Sequence, residues 1–424
     1  MKKKRKIKKK TILYLLLIII VLVASIILRF LPTDNNKNKV IVDDTLNKEQ
    51  LEILVTENYY ATVKVVEDTD LYLKKDNKIN KIGIIAKDIE LSLDELNFAD
   101  DEVYFKIKDT DYYVHYSKVS KLEELNINDK YKNYIPFNED VVTKESFKLY
   151  TGDGVSYTIN ESLTFDVIVK SDDSYSVEFN NALYEIKKED IEKLIDSDNS
   201  KESVVSSIPV LNYHFFYDKT KETCNESICL ELNRLDSHFK YLKDNGYYTL
   251  TMNDLDLWMD KKINLPKKSV LITVDDGAMG TDTHLIHKLE EYDLQGTLFL
   301  ITQWWPKSKY LSPNLEVQSH GNDIHYENHC SGVSRGARGL CYTKAQLIED
   351  FNKSKEKLDN DTIAFCFPFY LYNNNMLEAL KETGFKLGFI GGNKKVTQNT
   401  NKLLIPRYVI YNSTDVNSLK NMLG

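Results

Sequence analysis

Ser269-Val270-Leu271-Ile272-Thr273-Val274-Asp275-Asp276-Gly277 is the stretch on which the fold turns. Its first six residues are short, β-branched and mostly apolar, which reads as a strand buried on both faces of a parallel sheet. Two carboxylates then close the strand at its C-terminal end. In α/β barrels and open α/β sheets that edge is where ligands bind and catalytic groups collect. Gly277 lets the chain turn away at once.

Downstream, Leu315 to His325 is another short extended run, ending in the turn Ser319-His320-Gly321-Asn322-Asp323-Ile324-His325. One Asp and two His form a facial triad with coordination positions left open. Its nitrogen and oxygen donors suit Zn²⁺ or another divalent first-row metal, with Co²⁺, Ni²⁺ and Mn²⁺ as alternatives. The expected ligands are Asp276, His320 and His325, which leaves Asp275 free as a base. Apolar runs at Val210 to Tyr213, Thr297 to Ile301 and Ile363 to Phe367 alternate with helical patterns, so an α/β fold with a distorted (β/α) barrel is expected. Leu232, Leu235, Phe239 and Leu242 share one helical face, with His238 expected toward solvent. Thr251 to Asp254 reads as a capping box. His214 follows the opening strand and should point into the same mouth. His284 and His287 lie three apart on a helix with no third ligand nearby.

These residues resemble the NodB-type polysaccharide deacetylases, carbohydrate esterase family 4. Val274 stands where that family has Phe in Thr-Phe-Asp-Asp-Gly, and the likeness runs from about Pro209 to the C-terminus. The five-residue step from His320 to His325 is similar to the branch acting on poly-N-acetylglucosamine and to some Gram-positive wall enzymes; the commoner step is four. The resemblance implies metal-dependent removal of acetyl groups. The family's Arg-Xaa-Pro-Tyr matches Cys366-Phe367-Pro368-Phe369, so the arginine is missing, while the Phe369 N–H can still face an oxyanion. Arg407, in Leu404-Ile405-Pro406-Arg407-Tyr408, is the candidate replacement and matches the same branch. The family's C-terminal Leu-Xaa-Xaa-His is absent, which leaves His214 and His329 as candidate acids. Trp304 and Tyr370 offer rings that can stack on a pyranose; core packing under a loop is the alternative reading for the Trp304-Trp305 pair.

The 424 residues are too many for one small core. Removing the eight Lys and Arg of residues 2–10 takes the formal charge from −8 to −16, which argues against nucleic acid as a partner. That basic cluster precedes an apolar stretch from Ile12 to Leu28, long enough to span a bilayer. The expected topology is single-pass, with residues 1–10 cytoplasmic, 11–30 an uncleaved membrane anchor, 31–50 a linker, and the catalytic domain extracellular. Outside the membrane, Cys224 with Cys229 and Cys330 with Cys341 could form disulfides or remain thiols.

Residues from about Leu51 to Leu194 alternate apolar and polar positions between Asp, Asn and Gly turns, as half-buried antiparallel strands do. They also repeat. Val103, Phe105 and Ile107 match Tyr175, Val177 and Phe179, and Tyr112, Val114 and Val119 match Tyr184, Ile186 and Ile191, all at an offset of 72. The expectation is two modules, 51–125 and 126–196, with a pattern similar to bacterial SH3-like domains; one undivided β-domain acting as a spacer is the alternative. A linker at 197–207 and a deacetylase domain at 208–424 follow. The expected function is a membrane-anchored N-deacetylase of peptidoglycan. Poly-N-acetylglucosamine is the rival substrate, and a wall-binding sensor with an inactive barrel is the rival class.

Overall fold

Ser269–Asp276 is buried at all eight positions and lies in the middle of a parallel sheet. The computed structural model describes residues 62–76, 78–99, 102–122, 130–197, 204–327 and 338–424. The strand pairs with Val210–Tyr213 on one side and Gly296–Leu300 on the other, and the sheet continues through Leu315–Ser319 and Ala364–Cys366 to Leu387–Phe389. Every one of these pairings is parallel. Burial on both faces explains why the central strand reads as an apolar run up to its aspartates rather than an alternating one.

The sheet curls into an α/β half-barrel, and the segment 402–410 links its two edges. Ile405 forms a parallel bridge to Phe389, and Tyr408–Val409 pairs in parallel with Leu211 and Asn212. Arg407 lies between those two attachments and is completely buried. Helices cover the outside. Leu232–Asp244 buries Leu235, Phe239 and Leu242, and Thr251 caps Met252–Met259 in a reciprocal capping box with Asp254.

His238 departs from expectation: it is buried rather than solvent-facing. Tyr213 Oη lies 3.2 Å from its Nδ1 and the Thr414 carbonyl 3.2 Å from its Nε2. The cause is a long-range contact: the C-terminal segment that begins Val416–Leu423 closes over the helix beside the apolar stripe. Burial lowers the His238 imidazole to about 4, so it sits there neutral.

Upstream, the structure repeats at the same offset as the sequence. Glu102–Ile107 recurs as Ser174–Phe179, the short helix Tyr116–Lys118 as Lys188–Asp190, and the strand starting at Val119 as one starting at Ile191. Pairing repeats too. In the first copy Thr62–Val65 pairs with Glu90–Ala99 and Val119–Lys121, and Thr69–Lys75 pairs with Lys78–Ile85 and Tyr112–His115. In the second, Glu139–Thr143 pairs with Thr164–Asp166 and Ile191–Asp196, and Phe147–Thr151 with Gly154–Ile159 and Ala182–Lys187.

The chain divides into two compact units after Asn126, so the second copy shares a unit with the half-barrel. It docks there through backbone. Ile135 N–H donates to the Asn264 carbonyl at 3.0 Å and Lys170 N–H to that of Lys262 at 2.8 Å. Tyr134 Oη donates to Asp254 Oδ1 at 2.6 Å. These contacts precede Ser269, at the end of the barrel opposite the paired aspartates.

Cys224 and Cys229 form a disulfide, Cys341 is also disulfide-bonded, and Cys366 is a buried free thiol. Cys330 and His329 lie outside the described residues, as do the basic segment, anchor and linker expected over 1–50 and part of the 197–207 linker. No helix among the described residues is long and apolar enough to cross a membrane.

Candidate active site

Asp275 and Asp276 end the strand, where the backbone turns left-handed at Asp276, φ 76°, and Gly277, φ 78°. Asp276 Oδ1 lies 3.3 Å from His320 Nε2 and 3.2 Å from His325 Nε2. The three donor atoms fall within 4.8 Å of one another, a spacing that could hold a metal ion. His320 Nδ1–H donates to the Cys366 carbonyl at 2.7 Å, which holds the ring with Nε2 toward Asp276, the nitrogen that would ligate a metal when the imidazole is neutral. That backing bond, with one carboxylate and two imidazoles converging, fits a divalent first-row cation. Burial raises the Asp276 carboxyl, but hydrogen bonds from both histidines outweigh it and hold the group well below the usual carboxylate range.

A second cluster, Asp275, His320 and Cys366, is similarly close. It is a poor metal site, because a guanidinium already occupies it. Arg407 grips Asp275 with two parallel bonds, Nη1 to Oδ1 and Nη2 to Oδ2, each 2.7 Å. Nη1 also donates to Thr273 Oγ1 at 3.2 Å, and Nη2 lies 2.9 Å from Cys366 Sγ. Burial raises the Asp275 carboxyl and Arg407 more than reverses this, leaving it at about 2. The guanidinium therefore reaches Asp275 from the linking segment 402–410 and lies beside Cys366.

The turn that carries the histidines is held from behind. Asp350, on the helix Lys344–Lys357, accepts from the N–H groups of Asn322 at 2.8 Å and Asp323 at 2.8 Å. Lys357 Nζ donates to Asn322 Oδ1 at 2.8 Å, and Ile324 is buried in the core. Gly321 has φ 82°, and a Cβ there would lie 2.6 Å from Ile324 Cγ1, so only glycine fits. Burial raises Asp350 to about 6 against the pull of its two amide donors. Asp350→Ala should loosen this turn and weaken metal binding by about 10- to 100-fold, measured by chelator competition.

His214 Nε2 lies 3.8 Å from Asp275 Oδ2, and burial lowers its imidazole despite the neighbouring aspartates. Tyr370 does not lie on the surface as a simple stacking platform; its hydroxyl turns inward, 3.4 Å from His214 Nε2. Phe369 is 40% exposed, its ring tilted against that of His325 with centroids 4.7 Å apart. Trp304 is equally exposed, its ring centroid 5.4 Å from that of His325, while Trp305 packs against the core. His284 pairs with Glu222 at 3.0 Å and His287 lies 4.0 Å from Glu290, away from both clusters.

Sequence reasoning missed Asn212 and Asp350. Asn212 Nδ2 donates to Asp275 Oδ2 at 3.2 Å and to Tyr370 Oη at 2.9 Å. It is a polar residue inside the run Val210–Tyr213, two before His214 and so on the same strand face, which was the available signal. Asp350 likewise sits on the buried helix face with Leu347, Phe351 and Ser354.

Two expectations follow from the buried pair. Arg407→Ala would strand an ionised carboxylate and should cost about 3–5 kcal/mol in denaturant unfolding, and Arg407→Lys should recover little because an ammonium cannot grip both oxygens. The sign with pH follows from the lowered carboxyl. The stability contributed by Asp275 is fully present above its unfolded value of 3.8 and is lost as pH falls through about 2. Denaturant midpoints should drop across that window in the native chain and drop less in Asp275→Asn.

The family profile described as polysaccharide deacetylase matches residues 262–388, a span that holds both aspartates and both histidines. The chain carries a polysaccharide deacetylase domain, and is a hydrolase acting on acetamide C–N bonds. It is 29% identical over 222 residues to a poly-β-1,6-N-acetyl-D-glucosamine N-deacetylase of Staphylococcus aureus, covering 47% of this chain and 73% of that one. Among solved structures it is similar to the deacetylase PplD of Streptococcus pyogenes in complex with acetate, at 19% identity and TM-score 0.43, over 52% of this chain and 100% of the other. The de-N-acetylase of Aggregatibacter actinomycetemcomitans matches at 20% identity and TM-score 0.44, over 51% and 99%.

Proposed function

We propose that this protein removes acetyl groups from N-acetylglucosamine residues of an extracellular polysaccharide, using a divalent metal held by Asp276, His320 and His325. The observation that carries the reading is the juxtaposition of that cluster with a second carboxylate, Asp275, clamped by Arg407. A metal bound there supplies a Lewis acid that polarises the acetamide carbonyl and acidifies water, with Zn²⁺ the first candidate and Co²⁺, Ni²⁺ or Mn²⁺ the others.

The chain's own groups do the rest. Asp275 is ionised throughout the neutral range and takes the proton of the attacking water. Arg407 fixes the orientation of that carboxylate. The Phe369 N–H is the donor we assign to the developing oxyanion, and His214, 3.8 Å from Asp275, is a source of the proton the amine needs. Trp304 and the ring of Phe369 give apolar faces beside His325 on which a pyranose can lie.

The staphylococcal relative, by its name, acts on poly-β-1,6-N-acetyl-D-glucosamine, which supports that polymer as substrate. Peptidoglycan, the expectation from sequence, is supported by the duplicated β-module alone. Acetate release from each polymer separates the two. A membrane-anchored, extracellular location is part of the proposal, resting on the Lys2 to Lys10 cluster and the apolar stretch after it. Protease added to intact cells should cut the catalytic domain; a shielded domain would contradict that location.

A further inference from the structure

Phe369 and Tyr370 are consecutive non-glycine residues in the left-handed region, at φ 56° and 61°. L side chains adopt that conformation only under constraint, and such constraint collects at functional sites. Here the turn aims two adjacent side chains at two halves of one site. The Phe369 ring goes to His325, and the Tyr370 ring goes over the Arg407 guanidinium, with its centroid 5.6 Å away. Gly391 leaves room beneath, since a Cβ there would come within 3.3 Å of the Tyr370 ring.

The socket also orients the hydroxyl. Asn212 Nδ2–H donates to the phenol oxygen at 2.9 Å, so the phenol's own proton points elsewhere. His214 Nε2 lies 3.4 Å from that oxygen, and the same nitrogen lies 3.8 Å from Asp275 Oδ2. His214 is buried while Tyr370 is only half-buried, so the phenol is the more accessible of the two.

We propose that Tyr370 is a catalytic residue, the group that hands a proton to the leaving amine, with His214 behind it. The assignment rests on the deacetylase reading above. As the C–N bond of the tetrahedral adduct breaks and the carbonyl re-forms, the amine nitrogen takes the Tyr370 proton. The phenol oxygen is reprotonated from His214 Nε2, which receives the proton Asp275 removed from water. One proton thus travels from water to amine, and acetic acid and a free amine leave with every group restored.

Leaving-group dependence tests this. Tyr370→Phe in the whole chain removes the hydroxyl and keeps the ring on Arg407. An acetamide needs a proton on its leaving nitrogen, whereas 4-nitrophenyl acetate expels a stable phenolate without one. Acetate release from an N-acetylglucosamine oligomer should fall at least about 10²-fold further than ester hydrolysis, with metal affinity retained. Tyr370→Phe and His214→Gln should cost about as much together as either alone, as residues acting in one relay do. Equal losses on amide and ester would overturn the assignment, as would an unchanged amide rate. A native chain that releases no acetate from either substrate would remove the deacetylase reading and this assignment with it.

Discussion

His325→Ala is expected to abolish metal binding and acetate release together while leaving the fold intact. The His325 side chain is 14% exposed, and among the described residues its Nδ1 has no hydrogen-bond partner, so truncation gives up the contact to Asp276 and no second bond behind the ring. What it removes is one of the three candidate ligand atoms, the others being Asp276 Oδ1 and His320 Nε2. Loss of the metal forfeits several kcal/mol of transition-state stabilisation. At about 1.36 kcal/mol per tenfold, that is a drop of roughly 10³-fold or more. His320→Ala should lose as much activity but is the less clean variant. It is buried and donates to the Cys366 carbonyl, so its removal also leaves a buried acceptor unpaired, at about 1–3 kcal/mol. Metal content by mass spectrometry, read beside the unfolding midpoint, distinguishes the two effects.

Asp275→Asn is expected to keep the metal and lose turnover by about 10²- to 10⁴-fold, the usual cost of a missing general base. It should also lower stability, because the buried Arg407 would then face an uncharged amide, and breaking a buried pair from one side costs about 3–5 kcal/mol. The double variant Asp275→Asn with Arg407→Met isolates the chemistry. Removing both charges should restore much of the stability and none of the activity. If Asp275→Asn loses the metal while Asp276→Asn keeps it, the two carboxylates have exchanged roles.

The parts of the site legible in the sequence are those carried by local pattern. The run Ser269–Asp276 is apolar because both faces are buried, so it announces a central parallel strand and puts its aspartates at the ligand edge. The module duplication was legible because the same spacing of core positions survives in both copies. What escaped depends on contacts between distant segments. His238 looks like a surface residue until the C-terminal segment near Thr414 closes over it. Asp350 supports a turn 27 residues away, and Asn212 reaches Tyr370 across 158 residues. Arg407 was found through resemblance, since nothing local says that the segment carrying it joins both edges of the sheet. The inward turn of Tyr370 depends on a left-handed backbone that its side chain does not favour.

A metal-dependent N-deacetylase centred on Asp276, His320 and His325 must lose its activity with the metal and regain it when the metal returns. The most direct test is acetate release from purified poly-β-1,6-N-acetyl-D-glucosamine and from purified peptidoglycan, measured before chelation, after chelation, and after restoring Zn²⁺ or Co²⁺. Acetate should be released from at least one polymer, stop on chelation, return with the metal, and be absent throughout in His325→Ala. A chain that binds metal through these residues and binds either glycan, yet releases no acetate from any polymer with any metal, would contradict the account and leave a wall-binding protein with an inactive barrel.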